Sequence, residues 1–238
     1  MSPLLSRSRG RGEKPQRSRI LENVPYHIPD FLARAAGIGT QEVLRFPEAD
    51  VPRHFRRAAV LILLWADGER VRTAITQRTS KMKDHAGEVC FPGGRIRPGE
   101  TAAEAALREA REEIGLAVEA LDFCGRLDDA WVGTGHHMTT YVSILPERPR
   151  LTPDPGEVEH LFEADVATLL DPATYEEEVL DRDGRGLHAR PILRDGACRL
   201  YGQSAELLLE LRDRVVTSRT DKGQRRLDRL RKIHPQQQ

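Results

Sequence analysis

Apolar and polar positions along the chain alternate between two periods, and the alternation marks out the expected elements. Ala58 to Trp65 is a continuous apolar run of strand length, and Val71 to Gln77 is rich in residues that favour strands. The turn Ala66-Asp67-Gly68 between them predicts a hairpin. Asp122 to Leu127 and Thr139 to Leu145 read as further strands, and Leu161 to Leu170 as a strand that turns into a short helix. Apolar spacing of three and four residues predicts an amphipathic helix over Ser204 to Val215, carried by Leu207, Leu208 and Leu211, and another over Pro29 to Ala36. Helices before, between and after the strands imply an α/β chain whose sheet is covered on both faces.

The sharpest helix signal lies between residues 102 and 114. Pro98-Gly99 is a turn, and Thr101 followed three residues later by Glu104 forms a capping box. Ala, Leu, Arg and Glu fill the next twelve positions, and Gly115 stands where a left-handed cap would end the helix. At 100° per residue, Glu109, Glu112 and Glu113 fall within a third of the circumference, while Ala103, Leu107, Ala110 and Ile114 share another face.

Composition narrows the class. Of 238 residues 39% are hydrophobic, and the longest apolar run, Ala58 to Ala66, is nine residues, too short to span a bilayer. No repeat or linker divides the middle, so one globular domain over residues 21–216 is expected between two basic tails, 1–20 and 217–238. The three cysteines are widely spaced with no CxxC pair, which indicates neither a disulfide framework nor a zinc site. Such usage fits a reducing compartment, and a cytoplasmic location is expected. The Arg- and Ser-rich, acid-poor first nineteen residues leave organelle import as the alternative, although Gly10, Gly12 and Pro15 interrupt any amphipathic helix there.

Zero net charge conceals an asymmetry. Residues 1–19 carry six Lys or Arg against one Glu, and residues 212–238 carry nine against three acids, so the intervening domain is acidic. Acidity suits cation binding, but a polyanionic substrate would then need local positive groups. The basic stretch Gln224 to Ile233 lacks interleaved aromatics, so no nucleic-acid partner is expected.

Three glutamates on one helical face repel one another, and either ion pairs or a hard divalent cation could offset that repulsion. Glu104 to Arg108 and Arg108 to Glu112 are spaced for ion pairs. The preceding loop, Phe91-Pro92-Gly93-Gly94-Arg95-Ile96-Arg97-Pro98-Gly99, adds paired glycines that permit close backbone approach to a ligand.

Gly94 to Leu116 fits the spacing G-x5-E-x7-R-E-U-x-E-E-x-G-U at every fixed position, with Gly94, Glu100, Arg108, Glu109, Glu112, Glu113 and Gly115 in place. This stretch resembles the Nudix box. The resemblance implies an α/β/α sandwich with a mixed sheet, the box forming a loop-helix unit against it. It further implies hydrolysis of a diphosphate joined to another moiety, with Mg2+ or Mn2+ as cofactor. Glu109 and Glu113 would be the principal metal ligands, Glu112 a further ligand or base, and Gly94 a carbonyl ligand. Arg108 would orient the glutamates, with Glu100 supporting it. Which carboxylate takes the proton from water stays open. Glu157, in the loop Pro153-Asp154-Pro155-Gly156-Glu157, is either a further metal ligand or a surface turn acid.

Residues 74–94 are similar to the additional signature of coenzyme A diphosphatases, L-L-T-x-R-[SA]-x3-R-x3-G-x3-F-P-G-G. Thr76, Arg78, Gly87, Phe91, Pro92, Gly93 and Gly94 match; Ala74, Ile75, Thr79 and Lys83 depart from it. The resemblance implies substrate contacts by Arg78, Lys83, Gly87, Phe91 and Gly93. Lys83 keeps the charge but not the planar fork of arginine. The expected partner is a small nucleotide substrate, CoA or acyl-CoA, and a homodimer is compatible with the resemblance. Hydrolysis of another nucleotide derivative, or nucleotide binding without turnover, are the alternatives.

Overall fold

The computed structural model describes residues 28–216, apart from 42, 44, 46–50, 53, 83, 118–120, 133, 134, 172 and 182–186. Both basic tails and Lys83 therefore lie outside the described residues.

Strand β1, Arg56–Asp67, explains the long apolar run: its residues serve two cores alternately. Val60, Ile62 and Leu64 point to one side of the sheet, and Ala59, Leu61, Leu63 and Trp65 to the other. A strand buried on both faces reads as continuous hydrophobicity rather than alternation. It forms the expected antiparallel hairpin with β2, Arg70–Arg78, but the turn proper is Gly68-Glu69, since Asp67 still pairs with Arg70.

Short β3, Val89–Cys90, pairs with the end of β2 on the same edge as β1, and β4, Gly93–Arg95, pairs antiparallel with β1 at Ala58 to Val60. One edge of β1 is thus shared, with β4 along its first half and β2 along its last residues. Beyond the helix α2, Ala102–Ile114, come β5, Phe123–Arg126, β6, Ala130–Val132, and β7, His136–Leu145. Strand β7 runs parallel to β1 over ten registered residues, while β5 and β6 pair with it antiparallel. β8, Val158–Asp165, pairs with β2 and completes a mixed eight-stranded sheet.

Helix α2 covers one face, with Ala105, Ala106, Ala110 and Ile114 packed on the Ala59 side of β1. The opposite face receives α1, Ile28–Ala36, α3, Val166–Leu169, and α4, Gly202–Val216. Their Phe31, Ala35, Leu169, Leu208 and Leu211 join Val60, Ile62 and Leu64 in the larger core. The result is an α/β/α arrangement around a mixed sheet. A second, three-stranded sheet was not foreseen: β9, Glu176–Asp181, β10, Leu187–Asp195, and β11, Cys198–Tyr201, in the order β11-β10-β9. Its Leu193, Cys198 and Leu200 enter the same core as α4.

Candidate active site

Helix α2 begins and ends as its sequence dictates. The Thr101 hydroxyl accepts from the Glu104 amide, and Glu104 accepts from the Thr101 amide at 2.8 Å, so both halves of the capping box are present. Gly115 closes the helix in the left-handed region at φ 63°. The buried face, however, is rotated from the one expected. Ala105 and Ala106 are fully buried, whereas Ala103 and Leu107 are half-buried. Glu113 is carried into the interior with 1% of its surface exposed.

That buried carboxylate has two partners from the upstream segment. The Gly93 amide donates to Glu113 Oε2 at 3.0 Å, and Arg78 Nη1 donates to Oε1 at 3.0 Å. Burial nevertheless dominates, pushing the Glu113 carboxyl up to about 7, with the charges of Glu109 and Glu157 acting in the same direction. Burial also raises Glu109, the Arg108 guanidinium only partly opposing it, and the charges of Glu112 and Glu157 add to the rise.

Arg108 organises the remaining acids. Its Nε and Nη2 bind both oxygens of Glu100 at 2.7 and 3.0 Å, Nη1 reaches Glu109 at 2.6 Å and Glu112 at 2.9 Å, and Nη2 also donates to the Arg95 carbonyl. The bidentate grip holds the Glu100 carboxyl down to about 2. Glu112 is more exposed and is shared with Arg97. Ion pairs therefore supply the offset that three clustered carboxylates require.

Glycine is needed at two adjacent positions for distinct reasons. A Cβ on Gly93 would sit 2.4 Å from the Ala59 carbonyl oxygen, inside β1, and one on Gly94 would sit 2.4 Å from the Glu109 carboxylate. Gly87 is in the left-handed region at φ 72° with open space around it, so it serves the turn rather than a close contact. Phe91, expected at the substrate, is 2% exposed and belongs to the larger core, so its ring supports the loop from behind. Arg78, also expected to face substrate, is turned onto Glu113.

Glu157 is brought in from a distant segment. The loop before it docks on the end of α2, where the Thr152 amide donates to the Ile114 carbonyl at 2.8 Å and the Asp154 amide to the Glu113 carbonyl at 3.0 Å. The Glu157 carbonyl then accepts from the Thr79 amide at 2.9 Å, beside Arg78. Its half-buried carboxylate acts on both Glu109 and Glu113. Nothing local in the sequence distinguished this acid from a surface turn. Cys90 stays a thiol, pushed up to about 12 chiefly by burial.

The donor set suits a hard divalent cation: several carboxylates, two of them held above the ordinary range by burial and mutual repulsion. Among the described residues no three acidic, His or Cys side chains are gathered tightly enough to form a metal cage in this arrangement. Arg78 and Arg108 occupy the carboxylates instead.

Comparison with known proteins adds the following. A family model described as NUDIX domain matches residues 55–182. The uncharacterized Nudix hydrolase NudL of Cronobacter sakazakii is 33% identical over 171 residues, covering 71% of this chain and 84% of that protein. NudL of Citrobacter koseri is 30% identical over 151 residues, covering 63% and 75%. Nudix hydrolase 3 of Caenorhabditis elegans is 48% identical over 69 residues, 29% of each chain.

Proposed function

This chain belongs to the Nudix hydrolase family, and on that premise we propose that it hydrolyses the diphosphate linkage of coenzyme A or acyl-CoA. The products would be 3′,5′-ADP and (acyl-)4′-phosphopantetheine, with Mg2+ or Mn2+ as cofactor. The observation that supports the reading is the joining of two sequence signatures at one carboxylate. Arg78 and Gly93, from the segment similar to coenzyme A diphosphatases, both bind Glu113 of the helix.

Glu109, Glu113 and Glu112, with the Gly94 carbonyl and Glu157, would hold the cation. Bound there, it would polarise phosphoryl oxygens and activate water. The chain's own residues prepare the site. Arg108 fixes the rotamers of Glu109 and Glu112 and is itself fixed by Glu100, so the acids do not collapse onto solvent. Burial pushes the Glu113 carboxyl up to about 7, so it can accept a proton near neutral pH, and burial also raises Glu109. Arg78, which holds Glu113 in this structure, would also present its guanidinium to a substrate phosphate. Lys81 and Lys83, close to Arg78 in the sequence, would add positive charge to an acidic domain.

Chromatography of the products tests the reading, using purified protein with Mg2+ or Mn2+ and a panel of CoA, acetyl-CoA, NADH, ADP-ribose, a diadenosine polyphosphate and 8-oxo-dGTP. Preferential release of 3′,5′-ADP from the CoA compounds is the expected result. Turnover of another compound alone would keep the chemistry and overturn the substrate.

A further inference from the structure

The outer face of the small sheet carries more positive charge than it neutralises. Cys198, Leu200 and Leu193 fill the core, so by strand alternation Arg199 and Tyr201 of β11 share the other face with Arg190 and Arg194 of β10 and Glu176 and Glu178 of β9. Arg194 binds both oxygens of Glu176 at 2.9 and 3.0 Å, and Arg190 pairs with Glu178. The third arginine, Arg199, has no carboxylate within 4.0 Å among the described residues. Its guanidinium lies instead over the Tyr201 ring at 5.0 Å, and that of Arg190 lies 5.0 Å from the same ring.

Stacking on an aromatic ring orients a guanidinium without using its in-plane N–H groups, which stay available for a planar or tetrahedral oxyanion. The position of this half-buried stack is equally informative. β11 packs against β3, and β3 is hydrogen-bonded to the end of β2 that carries Arg78. Burial, and after it the charge of Glu88 just before β3, raises the Tyr201 hydroxyl. The stack therefore belongs to the strand that packs on β3, two residues before the Gly93-Gly94 loop.

We propose that Arg199, oriented by Tyr201 and flanked by Arg190, binds a phosphate monoester of the substrate that is remote from the diphosphate being cleaved. This rests on the coenzyme A reading, because that substrate carries such a group on its ribose 3′ position. A nucleotide lacking it would make no ion pair with Arg199.

Equilibrium binding of 3′,5′-ADP and 5′-AMP in EDTA, measured by titration calorimetry, tests the subsite without turnover. Wild-type protein should bind 3′,5′-ADP about tenfold more tightly, as expected for one charge-assisted contact. Arg199→Gln should bring the two ligands within about twofold of each other, and Arg199→Lys should keep part of the preference because it restores charge without the fork. Arg194→Gln, which removes an arginine already paired on the same face, should keep the preference. A wild-type ratio near one, or a full ratio in folded Arg199→Gln protein, overturns the proposal. Turnover of CoA and 3′-dephospho-CoA separates the two ideas. Absence of both activities with the binding preference intact removes the coenzyme A reading alone. Turnover of both at equal efficiency, with no binding preference, removes the subsite alone.

Discussion

Glu113→Gln should stabilise the metal-free protein at alkaline pH while it removes activity. The buried carboxyl is displaced from its ordinary 4.5 to about 7, a difference worth roughly 3 kcal/mol against the ionised form. The sign follows from linkage. Below pH 4.5 the folded and unfolded chains both hold the proton, and no penalty exists. Between 4.5 and about 7 the unfolded chain ionises first, so stability falls as pH rises; above about 7 the penalty is complete. Glutamine carries no charge and escapes it, although its amide fits the Gly93 amide and Arg78 less well, a loss of about 1 kcal/mol. The net gain at pH 8 is then about 2 kcal/mol, or roughly 4–8 °C in Tm. Urea unfolding of both proteins in EDTA at pH 5 and pH 8 measures it. A variant less stable than wild type at pH 8, or a difference independent of pH, would refute the reasoning.

Other predictions follow from the same geometry. Stabilisation by saturating Mg2+ or Mn2+ should grow from pH 6 to pH 8, because the cation must displace a proton from Glu113; scanning fluorimetry across that range would show a flat response if this carboxylate is not a ligand. Gly94→Ala places a methyl group 2.4 Å from the Glu109 carboxylate and should lower kcat by about 100-fold with a folded circular-dichroism spectrum. Thr101→Ala removes the capping hydroxyl and should cost about 1 kcal/mol in urea unfolding, with kcat at 25 °C unaltered.

Legibility in the sequence tracked how local the determining contacts were. Helix α2 was readable to the residue because Thr101, Glu104 and Gly115 act on their own backbone. β1 and β2 were readable because a buried run and a glycine turn suffice. β9 to β11 were missed: β9 opens on three glutamates and β10 carries separated arginines, and only pairing across strands turns Glu176 with Arg194 and Glu178 with Arg190 into a sheet surface. The acid set was visible from spacing, yet the burial of Glu113 was not, since it depends on where Gly93 and Arg78 meet the helix. Glu157 was separable from a surface acid only once its loop was docked on Ile114 and Glu113. Phe91 lost its expected role for a similar reason, its ring being claimed by the core behind the loop.

Release of 3′,5′-ADP from CoA with Mg2+, compared for wild type and Glu113→Gln under identical conditions, is the most direct test. The expected result is steady product formation by wild type and a loss of about 100- to 1,000-fold in the variant, the scale seen when a group stabilising transition-state charge is removed. Product formation by the variant within a few-fold of wild type would contradict the assignment of this carboxylate to the reaction.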